Sequence, residues 1–388
     1  MRGFARYRDR PQRVWFRRVN FHVHLWVSLI LTLYLVVIGV TGSVLVFREE
    51  LERSPFESAR AKPPYADPVT VLQNVRAAFP DARVIALAAP GSGSPTYTVQ
   101  LQGRGRNFGV SRIAVHAGTG QVLGRFPRRS SPGWIGLFLN LHETLLIGVT
   151  GREINGALAA LLLVINLTGM VIWWPGIQNW TKALVVDFAR GWRRVNFDLH
   201  RAVGFWTLAI VSMWAISGVY FGFSRESRQL VEKFSPVVSA MPPSVRVEPQ
   251  RVSEPADLRV MLAQAEKMEP GARLRSIAFP ASRRSPFEIA MQRRGTVGEE
   301  FADVLYFDPY DGSYLSTWRR GVNRTLGDWI IWLEIPLHFG TFWGLGVKIL
   351  WAAMGMAIPL LAVTGLLMYW NRYLRRKIRP RRRIQPAR

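Results

Sequence analysis

Four of the six histidines in this chain of 388 residues occupy matched positions in its two halves. The segment Arg-Arg-Val-Asn-Phe occurs at residues 17–21 and again at 193–197, and this offset of 176 aligns His24 with His200. Each of the two histidines lies near the start of a long apolar stretch. An imidazole in such a place needs a partner, because an unpaired polar group is costly in lipid. The spacing therefore indicates two imidazoles with one shared role.

His142 and His338 form a second matched pair, at an offset of 196. The same offset aligns Thr168-Gly169 with Thr364-Gly365, although the surrounding sequences differ widely. We call the first two histidines the inner pair and these two the outer pair, because the first are expected near the cytoplasmic boundary of a membrane and the second near its outer boundary. A pseudo-two-fold axis along the membrane normal would bring each pair together.

Two facing imidazoles at one depth are what the iron of haem b requires as axial ligands. Copper and zinc also bind imidazole, but a structural zinc site has four ligands and usually includes thiolates or carboxylates. The sequence therefore favours two haem b groups, one for each pair. His22 is an alternative to His24 as an inner ligand, although it aligns with Asp198. Cations that suit haem propionates also lie near the pairs in sequence: Arg17, Arg18, Arg193, Arg194 and Arg201 near the inner pair, and Arg152 and Lys348 after the outer pair.

Four apolar segments are expected to position these side chains as transmembrane helices, since a span needs roughly 20 apolar residues. A continuous helix from His142 to Trp174 would be about 48 Å long, which exceeds a hydrocarbon core of about 30 Å. The outer histidines are therefore expected on boundary helices that are bent or separate. Arginine and lysine are concentrated at residues 2–18, 182–194 and after 370, a pattern that predicts both termini in the cytoplasm.

The fold class that follows is a mainly α membrane protein with four transmembrane helices, arranged as two tandem repeats of helix, α+β domain and helix. In the soluble domains, periodicity predicts helices near 68–79 and 256–266, and strands near 83–88, 96–101, 111–115 and 121–125. The predicted segments are a basic cytoplasmic N-terminus (1–20), the first span (21–47), a soluble domain (48–132), a boundary helix with the second span (133–174), a cytoplasmic loop (175–196), the third span (197–223), a second soluble domain (224–325), a boundary helix with the fourth span (326–370) and a basic cytoplasmic tail (371–388).

The composition limits the chemistry further. The formal net charge is +25, and its placement beside apolar segments favours membrane topology and contact with anionic lipid over nucleic acid binding. The chain has no cysteine, which excludes disulfides, iron–sulfur clusters and thiol catalysis.

Several motifs, in this order along the chain, resemble the PepSY-associated transmembrane family. They are a His-x-x-x-Gly motif at 200–204, a Phe-Asp-Pro-Tyr-Asp-Gly turn at 307–312, Leu-His-Phe-Gly at 337–340 and Val-Thr-Gly at 363–365. The resemblance covers nearly the whole chain and implies periplasmic PepSY-like domains, four spans and two haems. Family members of this layout include inner-membrane reductases of iron–siderophore complexes. The resemblance implies axial ligands at His24, His200, His142 and His338.

The resulting hypothesis is a reductase of the bacterial inner membrane that passes electrons to a ferric siderophore in the periplasm and releases ferrous iron. The expected partners are the ferric siderophore, the lipid bilayer and an electron donor, which is a reduced flavin, a quinol or another reductase. No nucleic acid partner is expected. The alternative is a membrane-anchored PepSY protein that binds or regulates a periplasmic partner without redox chemistry.

Overall fold

The computed structural model describes residues 14–51, 55–91, 94–103, 110–126, 133–238, 242–245, 256–294, 301–322 and 324–374. Its helices are α1 (Trp15–Leu45), α2 (Arg48–Leu51), α3 (Pro68–Ala78), α4 (Gly133–Thr144), α5 (Gly148–Trp173), α6 (Trp192–Gly222), α7 (Ser224–Glu232), α8 (Leu258–Met268), α9 (Leu326–Phe339) and α10 (Leu345–Tyr369). Its strands are β1 (Ala82–Ala88), β2 (Tyr97–Gly103), β3 (Val110–Val115), β4 (Val122–Arg125), β5 (Arg273–Ala278), β6 (Phe287–Gln292), β7 (Ala302–Phe307) and β8 (Tyr314–Arg319). Much of the predicted basic N-terminus and tail lies outside the described residues.

Within the described residues, four helices are long and apolar enough to cross a membrane: α1, α5, α6, and α10 together with a π-helical turn at Trp370–Leu374. The 31 residues of α1 extend about 46 Å at roughly 1.5 Å per residue, more than a hydrocarbon core of about 30 Å. The chain is therefore a multi-pass membrane protein.

The four spanning helices form a bundle in which α1 packs against α5 and α10, and α6 packs against the same two helices. Helices α1 and α6 are therefore diagonal neighbours. Leu31, Leu35 and Val211 are among the buried apolar residues of the bundle. Helices α5 and α6 approach closely where Gly156 meets Gly222, since a Cβ on Gly222 would lie 2.5 Å from the Gly156 Cα. Small residues at such crossings let two backbones pack directly in a membrane.

Two helices begin earlier than their predicted spans, at Trp15 rather than 21 and at Trp192 rather than 197. Both Arg-Arg-Val-Asn-Phe segments are thus helical, because nothing in them breaks a helix and arginine can extend its guanidinium to the interface. His24 consequently lies about 13 Å along α1, at roughly 1.5 Å per residue. The inner pair is deeper in its helices than the first turn or two.

The break between the boundary helix and the second span comes before Gly148, because α5 is already helical from that residue. The chain turns at Leu145 and Leu146, whose φ angles are 49° and 67°. His142 therefore lies on α4, a helix separate from α5, as its distance from Trp174 predicts.

The soluble segments 48–136 and 230–336 together form one compact unit, although the sequence analysis treats them as two domains. All eight strands belong to one antiparallel sheet with the order β4-β3-β2-β1-β5-β6-β7-β8. The two four-stranded halves join where β1 pairs with β5, through Ala86 opposite Ala278. The sequence shows each half but not the pairing, which depends on two strands far apart in the chain.

One face of the sheet carries the main apolar core of this unit, against which α3 and α8 pack. Val71 and Val75 of α3 and Met261 of α8 are fully buried there. Asp67 and Asp257 cap the two helices by accepting hydrogen bonds from backbone N–H groups of the first turn. The repeated cap and apolar stripe explain why both helices are recognisable from sequence.

His116 lies in a turn of this sheet unit, equivalent to the turn at Asp308. His116 Nδ1 accepts hydrogen bonds from the N–H groups of Gly118 and Thr119 at 3.2 and 3.1 Å. Asp308 Oδ1 accepts from the N–H of Tyr310 at 2.8 Å. Because the two side chains stabilise their turns in the same way, the structure accounts for His116 as a turn residue.

Candidate functional site

The inner pair meets across the bundle diagonal. His24 of α1 and His200 of α6 have ring centroids 6.4 Å apart, and their ring planes are nearly perpendicular, at 88°. His24 Nδ1 lies 3.3 Å from the Thr168 hydroxyl on α5, and His200 Nδ1 lies 2.9 Å from the Thr364 hydroxyl on α10. Each imidazole is thus held by the helix next to its own.

The outer pair repeats this geometry with other elements. His142 of α4 and His338 of α9 also have ring centroids 6.4 Å apart, with an interplanar angle of 66°. Here the hydroxyls belong to the diagonal helices. Thr41 of α1 lies 3.0 Å from His142 Nδ1, and Ser217 of α6 lies 2.6 Å from His338 Nδ1. All four histidines therefore have a Ser or Thr hydroxyl at the same ring nitrogen.

These hydroxyls determine which ring nitrogen carries the proton. Each of them donates its only hydrogen to the backbone of its own helix: Thr41 to Val37, Thr168 to Val164, Ser217 to Met213 and Thr364 to Leu360, over 2.7, 2.7, 3.1 and 2.7 Å. A hydroxyl that has donated its hydrogen can only accept from the imidazole. Nδ1 is then the protonated nitrogen, and Nε2 keeps its lone pair. A neutral imidazole of this tautomer is ready to bind a metal ion through Nε2.

A glycine follows each of these four hydroxyl residues, and three of the glycines make room for an imidazole. A Cβ on Gly42 would lie 2.8 Å from Cε1 of His142. A Cβ on Gly169 or Gly365 would lie 3.2 or 3.3 Å from Cε1 of His24 or His200, respectively. Gly218 differs, because its Cβ would meet Ala159 at 2.8 Å. These four glycines thus make room for an imidazole at three positions and for helix packing at the fourth.

The two layers are well separated along the bundle. Seventeen residues separate His24 from Thr41 on α1, and the same number separates His200 from Ser217 on α6. At roughly 1.5 Å per residue this is about 25 Å, close to the thickness of a hydrocarbon core of about 30 Å. Each pair is thus close to one end of the membrane-spanning region.

The sequence matches the family model described as the PepSY-associated TM region over residues 21–372. The chain belongs to the PepSY-associated TM region family. A relative from Pseudomonas aeruginosa, the uncharacterized protein PA4219, is 27% identical over 257 residues. That alignment covers 61% of this chain and 63% of the relative, so the chain spans less than two thirds of the relative's length.

Some of the arginines near the inner pair of this PepSY-associated chain already form ion pairs or hydrogen bonds within the protein. Asp198, buried to 1% exposure, pairs with Arg194 at 2.9 Å and with Arg201 at 3.1 Å. Arg17 donates to the backbone carbonyl of Ile172 at 2.7 Å, at the end of α5. Arg201 Nε is buried without a hydrogen-bond partner among the described residues. Arg201 thus keeps a buried donor, Nε, that a propionate could use in addition to its pair with Asp198.

The remaining predicted cations differ in exposure. Arg18, Arg193 and Arg152 are exposed, whereas Lys348 is buried to 9% exposure on α10. Exposed arginines at the ends of spanning helices fit the interfacial role that the charge pattern predicts.

The structure brings His24 and not His22 to His200. The His22 side chain is exposed, and its ring contacts Phe21 edge-on at a centroid distance of 5.6 Å. His22 and His24 are two residues apart on α1, so their side chains leave the helix in different directions.

Sequence reasoning missed the residues that fix the outer histidine backbones of this family member. Asn155 donates to the carbonyl of His142 at 2.7 Å and accepts from the Tyr34 hydroxyl at 2.6 Å. Trp214 donates to the carbonyl of His338 at 3.2 Å. Their types differ between the halves, so no repeat signal marks them. The four Ser and Thr partners, in contrast, share the pattern Ser/Thr-Gly, which a search for a common dipeptide would have found.

Within the described ranges, no group of three or more His, Cys, Asp or Glu side chains could hold a metal ion. The two imidazole pairs instead suit a metal that brings its other ligands with it.

Proposed function

We propose that this PepSY-associated protein is a haem-containing transmembrane reductase, which passes electrons across the bacterial inner membrane to a ferric siderophore in the periplasm and releases ferrous iron. The observation that carries the proposal is the set of four imidazoles, arranged as two facing pairs with a Ser or Thr hydroxyl beside Nδ1 of each ring. Iron release follows from reduction, because hard oxygen donors hold ferrous iron more weakly than ferric iron.

The residues fit two haem b groups in spacing and in donor chemistry. Half of the 6.4 Å centroid distance is 3.2 Å, close to one metal–nitrogen bond of roughly 2.0–2.1 Å plus roughly 1.1 Å from a ring nitrogen to the centroid. Each pair thus leaves room for one metal atom between its two rings. Each pair would supply two imidazoles to a haem iron, whose other ligands the porphyrin provides. When bound, haem b supplies a one-electron iron couple.

The residues of this chain have distinct tasks in that proposal. His24 and His200 would hold the inner group, and His142 and His338 the outer one. The four Ser and Thr hydroxyls accept from Nδ1–H and keep the rings oriented. His24 Nδ1 also lies 3.0 Å from the carbonyl of Ile165. Buried apolar side chains, among them Leu31, Leu35 and Val211, pack in the bundle. Arg201 is suited to a propionate because its buried Nε lacks a partner among the described residues.

The proposed topology has both termini in the cytoplasm and the sheet unit in the periplasm. It is supported by the basic residues beside the cytoplasmic ends of α1, α6 and α10. We further propose that the chain consists of two tandem copies of helix, PepSY-like α+β segment and helix. What supports this is the correspondence of Thr41 with Ser217 and of Thr168 with Thr364, at the offsets that relate the histidines.

The proposal is tested by a visible spectrum of the protein purified in detergent from haem-replete cells. We expect a red preparation with reduced-minus-oxidised bands of low-spin, bis-histidine haem. Reduced flavin and a ferric siderophore, added to the same sample, should give ferrous iron that a chelator captures. A colourless preparation would overturn the proposal and favour the alternative, a membrane-anchored protein that binds a periplasmic partner.

Replacing Thr364 with valine should raise the midpoint potential of the inner haem and weaken its retention about 10–100-fold. Valine has nearly the same shape but accepts no hydrogen bond from His200 Nδ1–H, so the imidazole becomes a weaker electron donor to ferric iron. A redox titration measures the potential. The control is Thr364→Ser, which keeps the hydroxyl and should behave like the unaltered protein. Equal potentials for the two variants would show that the hydroxyl has no such role.

A further inference from the structure

The sheet unit contains a groove of about 940 Å³ at the junction of its two halves. One side is formed by the end of α3 and the start of β1, and the other by the connection between β5 and β6. Tyr310, from the turn after β7, also lines it. None of the residues assigned to the two haems lines this groove.

The lining of the groove is cationic. Arg76, Arg83 and Arg283 contribute three guanidinium groups, and none of the described residues that line the groove is Asp or Glu. All three arginines are exposed side chains, so each can reach a ligand. Several cations around one concave surface, without a compensating carboxylate, attract an anion and raise its local concentration.

Aromatic rings form the other part of the lining. Phe279 and Phe287 contact each other edge-on at a centroid distance of 5.2 Å, and Phe79 and Tyr310 complete the set. Phe287 is buried to 6% exposure, so its position is fixed by the core. Guanidinium groups and aromatic faces together suit a ligand that carries both negative charge and flat rings.

The walls are joined by hydrogen bonds between the halves of the unit. The Arg83 guanidinium donates to the carbonyl of Pro280, and the N–H of Phe279 donates to the carbonyl of Ile85 at 3.0 Å. The Tyr310 hydroxyl donates to the carbonyl of Arg283 at 3.0 Å. The groove is therefore a preformed feature, and ligand binding needs little rearrangement of its backbone.

We propose that this groove binds anionic ligands with aromatic rings and, on the basis of the proposed function, that its ligand is a ferric siderophore of the catecholate class. A ferric ion held by three catecholates is an anion with three flat rings. A ferric ion held by three linear hydroxamates is neutral and has no aromatic ring. The groove therefore selects between these two siderophore classes.

The test is calorimetric titration of the intact, detergent-solubilised protein with gallium complexes, because gallium(III) copies the charge and shape of ferric complexes but is not reduced. We expect the gallium tris-catecholate to bind at least about tenfold more tightly than the gallium tris-hydroxamate. Added salt should weaken the catecholate complex, because it screens charge. Equal affinities, or no binding of the catecholate, would overturn the inference.

Matched arginine variants locate the site. Arg76→Gln and Arg283→Gln should each weaken catecholate binding by about tenfold, since each removes one exposed cation. Arg273→Gln, on the exposed part of β5 outside the groove, should leave binding within about twofold. Unchanged binding in both groove variants would place the ligand elsewhere. Because gallium is not reduced, a colourless protein that still binds the complex would refute the proposed reductase and not the groove, whereas a haem-containing protein that fails to bind would refute the groove alone.

Discussion

Replacing His338 with alanine is expected to remove the outer haem and to leave the inner haem in place, so that the haem content of the purified protein falls by about half. The outer iron would then have His142 as its only imidazole. The inner pair lies about 25 Å away along the bundle at roughly 1.5 Å per residue, with its own hydroxyl partners, and should keep its spectrum. Pyridine haemochrome analysis against protein concentration measures the ratio.

Electron transfer to the ferric siderophore should fall at least about 100-fold in the same variant, because the second redox centre is missing. The controls are His22→Ala and His116→Ala, which change histidines that the structure places on an exposed helix face and in a sheet turn. Both should retain the full haem content and activity. Full haem content in His338→Ala, or loss of haem in His22→Ala, would contradict the ligand assignment.

Replacing Gly42 with valine should displace the outer haem almost as effectively as replacing His338 with alanine. The Cβ alone would lie 2.8 Å from Cε1 of His142, which is closer than carbon atoms pack, and valine adds two further methyl groups. The ring cannot simply turn away, because Thr41 holds its Nδ1 at 3.0 Å. We expect the outer haem to be retained about 10–100-fold less tightly, while the inner haem spectrum is unchanged.

A matched control for this substitution is Gly346→Val on α10. A Cβ at Gly346 has no neighbour within 4 Å among the described atoms, and valine is a better helix former than glycine, so this substitution should be tolerated. Absorbance at the haem bands, compared between the two variants at equal protein concentration, decides the question. If both variants keep both haems, the glycine does not serve the imidazole.

The pairing of the four histidines can be inferred from the sequence alone, because two constant offsets relate them. The structure adds the hydroxyl beside each Nδ1. Each hydroxyl lies on a different helix from its histidine, so the sequence of a single segment does not predict the contact. The clamp of Asp198 on Arg194 and Arg201 is a different case. Asp198 is four residues from Arg194 and three from Arg201 on one helix, and such spacings predict ion pairs from sequence. Asp198 entered the sequence-based prediction only as the position aligned with His22, so these pairs were not predicted.

The sheet shows the limit of sequence reasoning more clearly. Alternation along the chain predicts the strands of the first half to within one or two residues. It contains no information about β1 and β5 lying side by side, since the edge of a strand carries only backbone groups. The cationic groove forms at that junction, so the sequence did not predict it either. Arg83 and Arg283 are 200 residues apart and come together only when the two halves of the sheet join.

The central pairing also sets the order of assembly during synthesis. Ala86 cannot pair until Ala278 has been synthesised, 192 residues later. That delay is roughly 10–40 s at typical elongation rates of about 5–20 residues per second. For that interval the nascent chain exposes β1 as an open edge, a template to which other unfolded chains can add. The third membrane span must also be made before the edge closes. The first half of the sheet therefore has an unpaired inner edge until the second half has been made.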